Sequence, residues 1–165
     1  MVIDVPQAAS DSIDTKVVLQ VAGEVAQQKL TVQPDKSGAL LLTADVADSL
    51  DDPLKVETVK RSTHIGSWIN PTAKVRWLVS VPADGKYKIS FDAASEKKTS
   101  LTLSAGESTA TLAIDKPTGD YKKFKKYQAG QIELKAGRKV VIVVAPVAQG
   151  WKPANLHAVQ LERAE

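Results

Sequence analysis

Three aromatic side chains fall where the sequence has turns rather than strands: Trp68 in GSWINP, Tyr121 in PTGDYKKF and Trp151 in AQGWKP. Only 5% of the residues are aromatic, so rings spent on loops call for a reason. An exposed flat ring suits a pyranose, whose C–H face is apolar and stacks on a π surface while its hydroxyls stay free. Asn155, close behind Trp151, offers both a donor and an acceptor to such hydroxyls. His64, just before the glycine of the first loop, adds a hydrogen-bonding group at the rim. The plainer alternative is packing, in which loop tryptophans fold back as lids over the ends of a sandwich. For Trp77, set between Val75 and Val79, the core reading is the better one. His157, on the last strand candidate with Asn155 and Val159, reads as a satisfied, partly buried side chain.

Catalytic chemistry finds little support. The chain has two histidines, His64 and His157, no cysteine, and no GxSxG, HExxH or Walker pattern. Asp51 and Asp52 lie in a turn and Asp92 ends a strand. A glycosidase dyad needs carboxyls about 5–10 Å apart, which spacing along a chain does not establish. No catalytic residue is assigned, and the chain reads as a binding module rather than an enzyme.

The composition narrows the partners. A net charge of +3 is too mild to argue for nucleic acid by itself. The run YKKFKKY, Tyr121–Tyr127, looks basic and aromatic, but lysine-rich strand faces are usually solvated edges that discourage aggregation. If that run meets a ligand, an anionic sugar such as a uronic acid is the economical choice. No apolar run approaches the roughly 20 residues of a membrane helix. The first residues, MVIDVPQAASDSIDTK, lack the basic head and apolar stretch of a signal peptide and read like the middle of a protein.

The elements that must position these groups are strands. Period-two alternation dominates, with no convincing amphipathic helix. Val75, Trp77, Val79 and Val81 share one face, and after the turn Pro82–Gly85 so do Tyr87, Ile89 and Phe91. Leu101–Ala105, Ala110–Ile114, Ile132–Leu134 and Leu156–Leu161 repeat the pattern, and Lys16–Ala22, Leu30–Val32, Ala39–Val46 and Leu54–Lys60 are earlier candidates. Val140–Ala145 is almost continuously apolar, which predicts a strand buried on both faces. Many short strands separated by Gly, Pro and Asp turns predict an all-β sandwich of the jelly-roll kind. The divisions expected are a final strand of a preceding β-domain over 1–23, a linker over 24–38 and the sandwich over 39–165.

From Leu41 to Leu161 the chain resembles carbohydrate-binding modules of families 6 and 35, the galactose-binding-like jelly rolls. More closely, it is similar to the version that ends bacterial α-L-fucosidases of glycoside hydrolase family 29. LLTADVADS, LKVE, IGSWINP, VRWLVSVPADGKYKISF, TGDYKKF, QIELKAGRKVVIV and ANLHAVQL carry the resemblance through their order and spacing. VPQAASDSIDTKVVLQVAGE resembles the last strand of the β-domain that closes those enzymes. The resemblance implies a secreted or periplasmic parent hydrolase whose catalytic domain, a partner to this module, lies outside these residues.

The resemblance also places a cleft on the loop after Gly66, on Tyr121 and on Asn155. The family puts an aromatic directly after the glycine, where this chain has Ser67 followed by Trp68, and usually has Trp at the position of Tyr121. Trp68 and Tyr121 are then the expected stacking residues, Asn155 the polar anchor, and Trp151 and His64 the rim. A structural calcium is also implied: Asp45 and Glu57 are its candidate ligands, and Thr43 stands where a second acidic residue is usual. No cofactor is required for binding. The expected partner is an oligo- or polysaccharide, with neither nucleic acid nor membrane involved; the alternative is a module that only braces the catalytic domain.

Overall fold

Alternating side chains give a strand one apolar face, and two sheets can bury those faces only against each other. A computed structural model of the chain describes residues 30–59 and 62–164. Twelve strands run through these residues. In chain order they are β1 (Thr31–Val32), β2 (Leu40–Thr43), β3 (Ser49–Leu50), β4 (Lys55–Val59), β5 (Ser62–Gly66), β6 (Val75–Val81), β7 (Gly85–Ala94), β8 (Thr99–Ala105), β9 (Ser108–Ile114), β10 (Lys125–Leu134), β11 (Gly137–Pro146) and β12 (Asn155–Arg163). One sheet has the order β1-β6-β11-β8-β9, with β3 also on the edge of β6. The other has the order β10-β7-β12-β5-β4, with β2 also on β12. The protein is an all-β jelly-roll sandwich, as its alternation predicts.

The core lies between the sheets. Val75, Trp77, Val79 and Val81 of β6 meet Tyr87, Ile89 and Phe91 of β7, all buried. The Pro82–Gly85 turn therefore carries the chain from one sheet to the other rather than closing a hairpin. Trp77 is fully enclosed, and its indole N–H donates to the carbonyl of Thr43 at 2.8 Å, linking β6 to β2 across the sandwich. Phe91 and Tyr127, cross-strand partners on β7 and β10, stack at 5.2 Å.

Two expectations need correcting. Val140–Ala145 is not buried on both faces: Ile142 and Val144 are buried while Val141 is 41% exposed. Its strand is central in an antiparallel sheet with one solvated face, where branched side chains pack on cross-strand neighbours such as Leu78 opposite Val141. The sandwich also takes in residues assigned to the linker. Thr31 and Val32 pair in parallel with Leu78 and Val79, and Asp35 Oδ1 closes the following turn by accepting from the amides of Ser37 and Ala39 at 2.8 and 3.0 Å. The strand candidate Lys16–Ala22, and the segment 1–23 read as part of a preceding domain, lie outside the described residues.

Polar contacts at the turns make stability depend on pH. The Asp84 carboxyl is held below the usual aspartate range by the backbone N–H of Ala136, which it accepts at 2.7 Å, and by the nearby Lys135 ammonium. Asp35 is lowered chiefly by the Ser37 hydroxyl. A folded-state pKa below the unfolded one favours the charged form in the native state. That stability is present above the ordinary carboxylate range and is lost as pH falls through the depressed folded values. Urea midpoints measured from neutral pH down to about pH 3 should show this acid limb. Asp84→Asn should flatten it, and an unchanged limb in the variant would refute the assignment.

Candidate functional site

At one end of the sandwich, three loops converge: the one leaving β5, the one between β9 and β10, and the one between β11 and β12. Together with β4 they enclose a cleft of about 310 Å³ lined by Glu57, Ser67, Trp68, Ile69, Tyr121, Pro153 and Asn155. Sequence-expected residues from three separate loops thus share one wall of the molecule.

Each loop is braced locally. In the first, Ser67 adopts φ 58°, and Ile69 N–H donates back to the Ser67 carbonyl at 2.9 Å. Asn70 Oδ1 accepts from both the amide and the hydroxyl of Thr72, at 3.0 and 2.8 Å, an Asx turn that fixes the tip. Trp68 N–H donates to the carbonyl of Ala73 at 3.0 Å. The second loop is tied to the end of β7 through Ser95, whose carbonyl accepts from the amides of Thr118 and Gly119. The third is tied to the same residue, because the Ser95 hydroxyl lies 2.9 Å from the Pro153 carbonyl. Ser95 is fully buried, so one small polar side chain registers two cleft loops against each other.

The expected residues take different places. Tyr121 is half-buried in the cleft, and burial, with the negative charge of Glu96 behind it, pushes its phenol above the usual value. Its O–H therefore stays protonated at neutral pH and can donate. Asn155, the first residue of β12, donates from Nδ2 to the Tyr121 carbonyl at 2.9 Å. That bond orients the amide and leaves Oδ1 as the acceptor without a protein partner. Trp68 is 1% exposed, so its indole forms a packed wall rather than a free platform. Trp151, half-buried, meets it edge-on at 6.1 Å. Ile69, a loop residue with no chemical signal of its own, is 67% exposed at the mouth.

His64 is not on the rim. It is buried at 1% exposure, with Nε2 3.4 Å from Glu57 Oε2. Phe124 fills the space between the two histidines, 5.1 Å from the His64 ring and 5.5 Å from that of His157. His157 is satisfied as expected, its Nδ1 donating to the Thr63 carbonyl at 2.7 Å. The calcium ligands are not assembled: among the described residues no three or more His, Asp or Glu side chains come together to hold a metal ion. Asp45 is exposed on the turn after β2, and Glu57 is engaged with Ser67 and His64 at the cleft.

The same architecture occurs in solved proteins. The chain superposes on the C-terminal family 6 carbohydrate-binding module of a marine laminarinase from Zobellia galactanivorans with a TM-score of 0.64, at 16% identity, over 76% of this chain and 99% of that one. A family 6 module of Cellvibrio mixtus lichenase 5A, solved in complex with cellotriose, gives 0.61 at 20% identity, over 76% of this chain and 97% of that one. A family 35 module from Clostridium thermocellum gives 0.60 at 15% identity, over 76% and 98%. The fold is the β-sandwich that these modules share. No family model matches the sequence, and no curated protein matches it. Loops gathered at one end of this sandwich form the cleft. No helix among the described residues is long and apolar enough to cross a membrane.

Proposed function

We propose that this chain is a non-catalytic carbohydrate-binding module that holds a glycan in the cleft between its loops. The observation that carries the reading is the meeting of Tyr121, Asn155 and the loop after Gly66 in one open cleft. Tyr121 supplies the stacking ring and a hydroxyl, Asn155 an oriented acceptor, and Ile69 with the edge of Trp68 an apolar wall. The likeness to family 6 and 35 modules supports the same reading, and so does the resemblance of the motifs to the tail of α-L-fucosidases. The parent is then a secreted or periplasmic glycoside hydrolase of that kind, with the module holding its catalytic domain near the polysaccharide.

One observation favours a second reading, a module that only braces its neighbour: Trp68, the expected platform, is enclosed. The two separate in a titration with neutral and acidic oligosaccharides, followed by tryptophan fluorescence and calorimetry. The Trp68–Trp151 pair beside the cleft provides the optical signal. With one free ring and few polar anchors, saturable binding with a Kd of about 0.1–1 mM is expected. If no glycan in the panel changes fluorescence or releases heat, the bracing reading replaces the binding one.

A further inference from the structure

One polar group in the cleft is unexplained by stacking and amide contacts. Glu57 sits on the edge strand β4, directly opposite His64 of β5, and its side chain is 39% exposed. Each carboxylate oxygen faces a different donor. Ser67 Oγ donates to Oε1 at 2.8 Å, and His64 Nε2 lies 3.4 Å from Oε2. The carboxylate rests over Gly66 so closely that a Cβ there would stand 2.5 Å from Glu57 Cδ. Ser67 faces it from a left-handed backbone, φ 58°, that residues with a side chain adopt reluctantly. In His64, Nδ1 is buried without a partner. The Nε2–H tautomer therefore leaves its one donor for Glu57 and strands no buried N–H.

We infer that Ser67 and His64 are positioning residues that lock Glu57 over Gly66 as the polar recognition group of the cleft, selecting neutral glycans and rejecting uronates. The inference deepens the glycan-binding reading and rests on it. An ionised carboxylate accepts about four hydrogen bonds; Ser67 takes one of those sites here, and His64 Nε2, 3.4 Å away, faces another. The remaining two accept hydroxyl donors in charge-assisted bonds, which are stronger than neutral ones. Because the rotamer is already fixed, little ordering is left for binding to impose. A uronate would bring a second carboxylate against the first, and among the described residues no lysine or arginine lines the cleft.

The test uses the full chain, titrated calorimetrically with neutral gluco-oligosaccharides and with oligogalacturonides, alongside thermal melts. Wild type should bind the neutral series at least about tenfold more tightly, and Glu57→Gln should narrow that gap. Ser67→Gly removes the hydroxyl but relieves the backbone, so it should weaken neutral binding about fivefold while the melting temperature holds or rises. Gly66→Ala should give a similar loss, because the new methyl pushes the carboxylate out of its locked place over residue 66 and leaves the strand intact. His64→Gln, whose amide N–H can stand in for Nε2–H, should bind better than His64→Leu. If wild type binds neutral glycans and both Ser67→Gly and Gly66→Ala bind them equally well, the lock is refuted and glycan binding stands. Uronates binding as tightly as neutral sugars would refute it as well. If wild type binds no glycan, both readings fall together.

Discussion

Trp77→Ala is expected to cost about 3–5 kcal/mol of folding stability, the range for truncating an enclosed large aromatic side chain. The indole sits between Val75 and Val79 on β6 and is fully buried. Its removal opens a cavity between the sheets that closes only in part, since the ladders β6–β11 and β7–β12 hold each sheet's backbone in place. It also removes the 2.8 Å bond to the carbonyl of the half-buried Thr43, a further loss. For a chain of this size the melting temperature should fall by roughly 6–20 °C. Trp77→Phe should recover part of the loss, because it refills volume but not the hydrogen bond. A Trp77→Ala melt within about 2 °C of wild type would contradict this account of the core.

Tyr121→Ala should do the opposite, weakening glycan binding by about ten- to a hundredfold with stability changed by less than about 0.5 kcal/mol. The half-buried ring contributes a stacking face and a protonated hydroxyl, and both disappear. The backbone carbonyl that orients Asn155 remains, so the polar anchor stays in place and the loss is specific to the ring. Affinity electrophoresis through polysaccharide gels and calorimetry would measure the first quantity, and urea unfolding the second. Retained binding in this variant would remove Tyr121 from the site. Lost binding accompanied by lost stability would show that the loop, rather than the ring, had been disturbed.

The contrast between these two aromatics shows where sequence reading succeeds. Trp77 lies inside a strict alternation, and a period of two leaves it no choice of face. Trp68 has no such constraint. The residues around it, Gly66 to Pro71, have no periodicity, and its burial depends on a bond to the carbonyl of Ala73 and on an edge contact with Trp151 more than eighty residues away. His64 departs from its expected rim position for a related reason. Neighbouring glycine and tryptophan gave it the appearance of a loop residue, whereas β5 exists because Ser62–Gly66 pairs with β4. That pairing also turns Glu57 toward Ser67 and His64, away from any set of calcium ligands. Ile69 carries no local signal at all; its exposure follows from the tip held by the Asn70 turn.

The lysine-rich run divides in the same way. Lys125 and Lys126 are both exposed at the start of the edge strand β10; Lys126 is on the outer face that alternation implies, while Lys125 shares the face of the buried Tyr127, its ammonium 5.5 Å from that ring. Phe124 instead wedges between two histidines brought from β5 and β12. Three strands distant in the chain must assemble before that contact exists.

By itself the sequence determined the fold class, the residues of the central strands and the core position of Trp77, because each follows from side-chain period and local turn chemistry. It also brought forward Tyr121 and Asn155, as ring and amide placed in or beside loops. Only the tertiary structure decided that these two share a cleft, that Trp68 and His64 are enclosed, and that Ser67 stands against Glu57. Those outcomes depend on strand order and on loops meeting at one end of the sandwich. Contacts between residues so far apart along the chain leave no periodic trace in it.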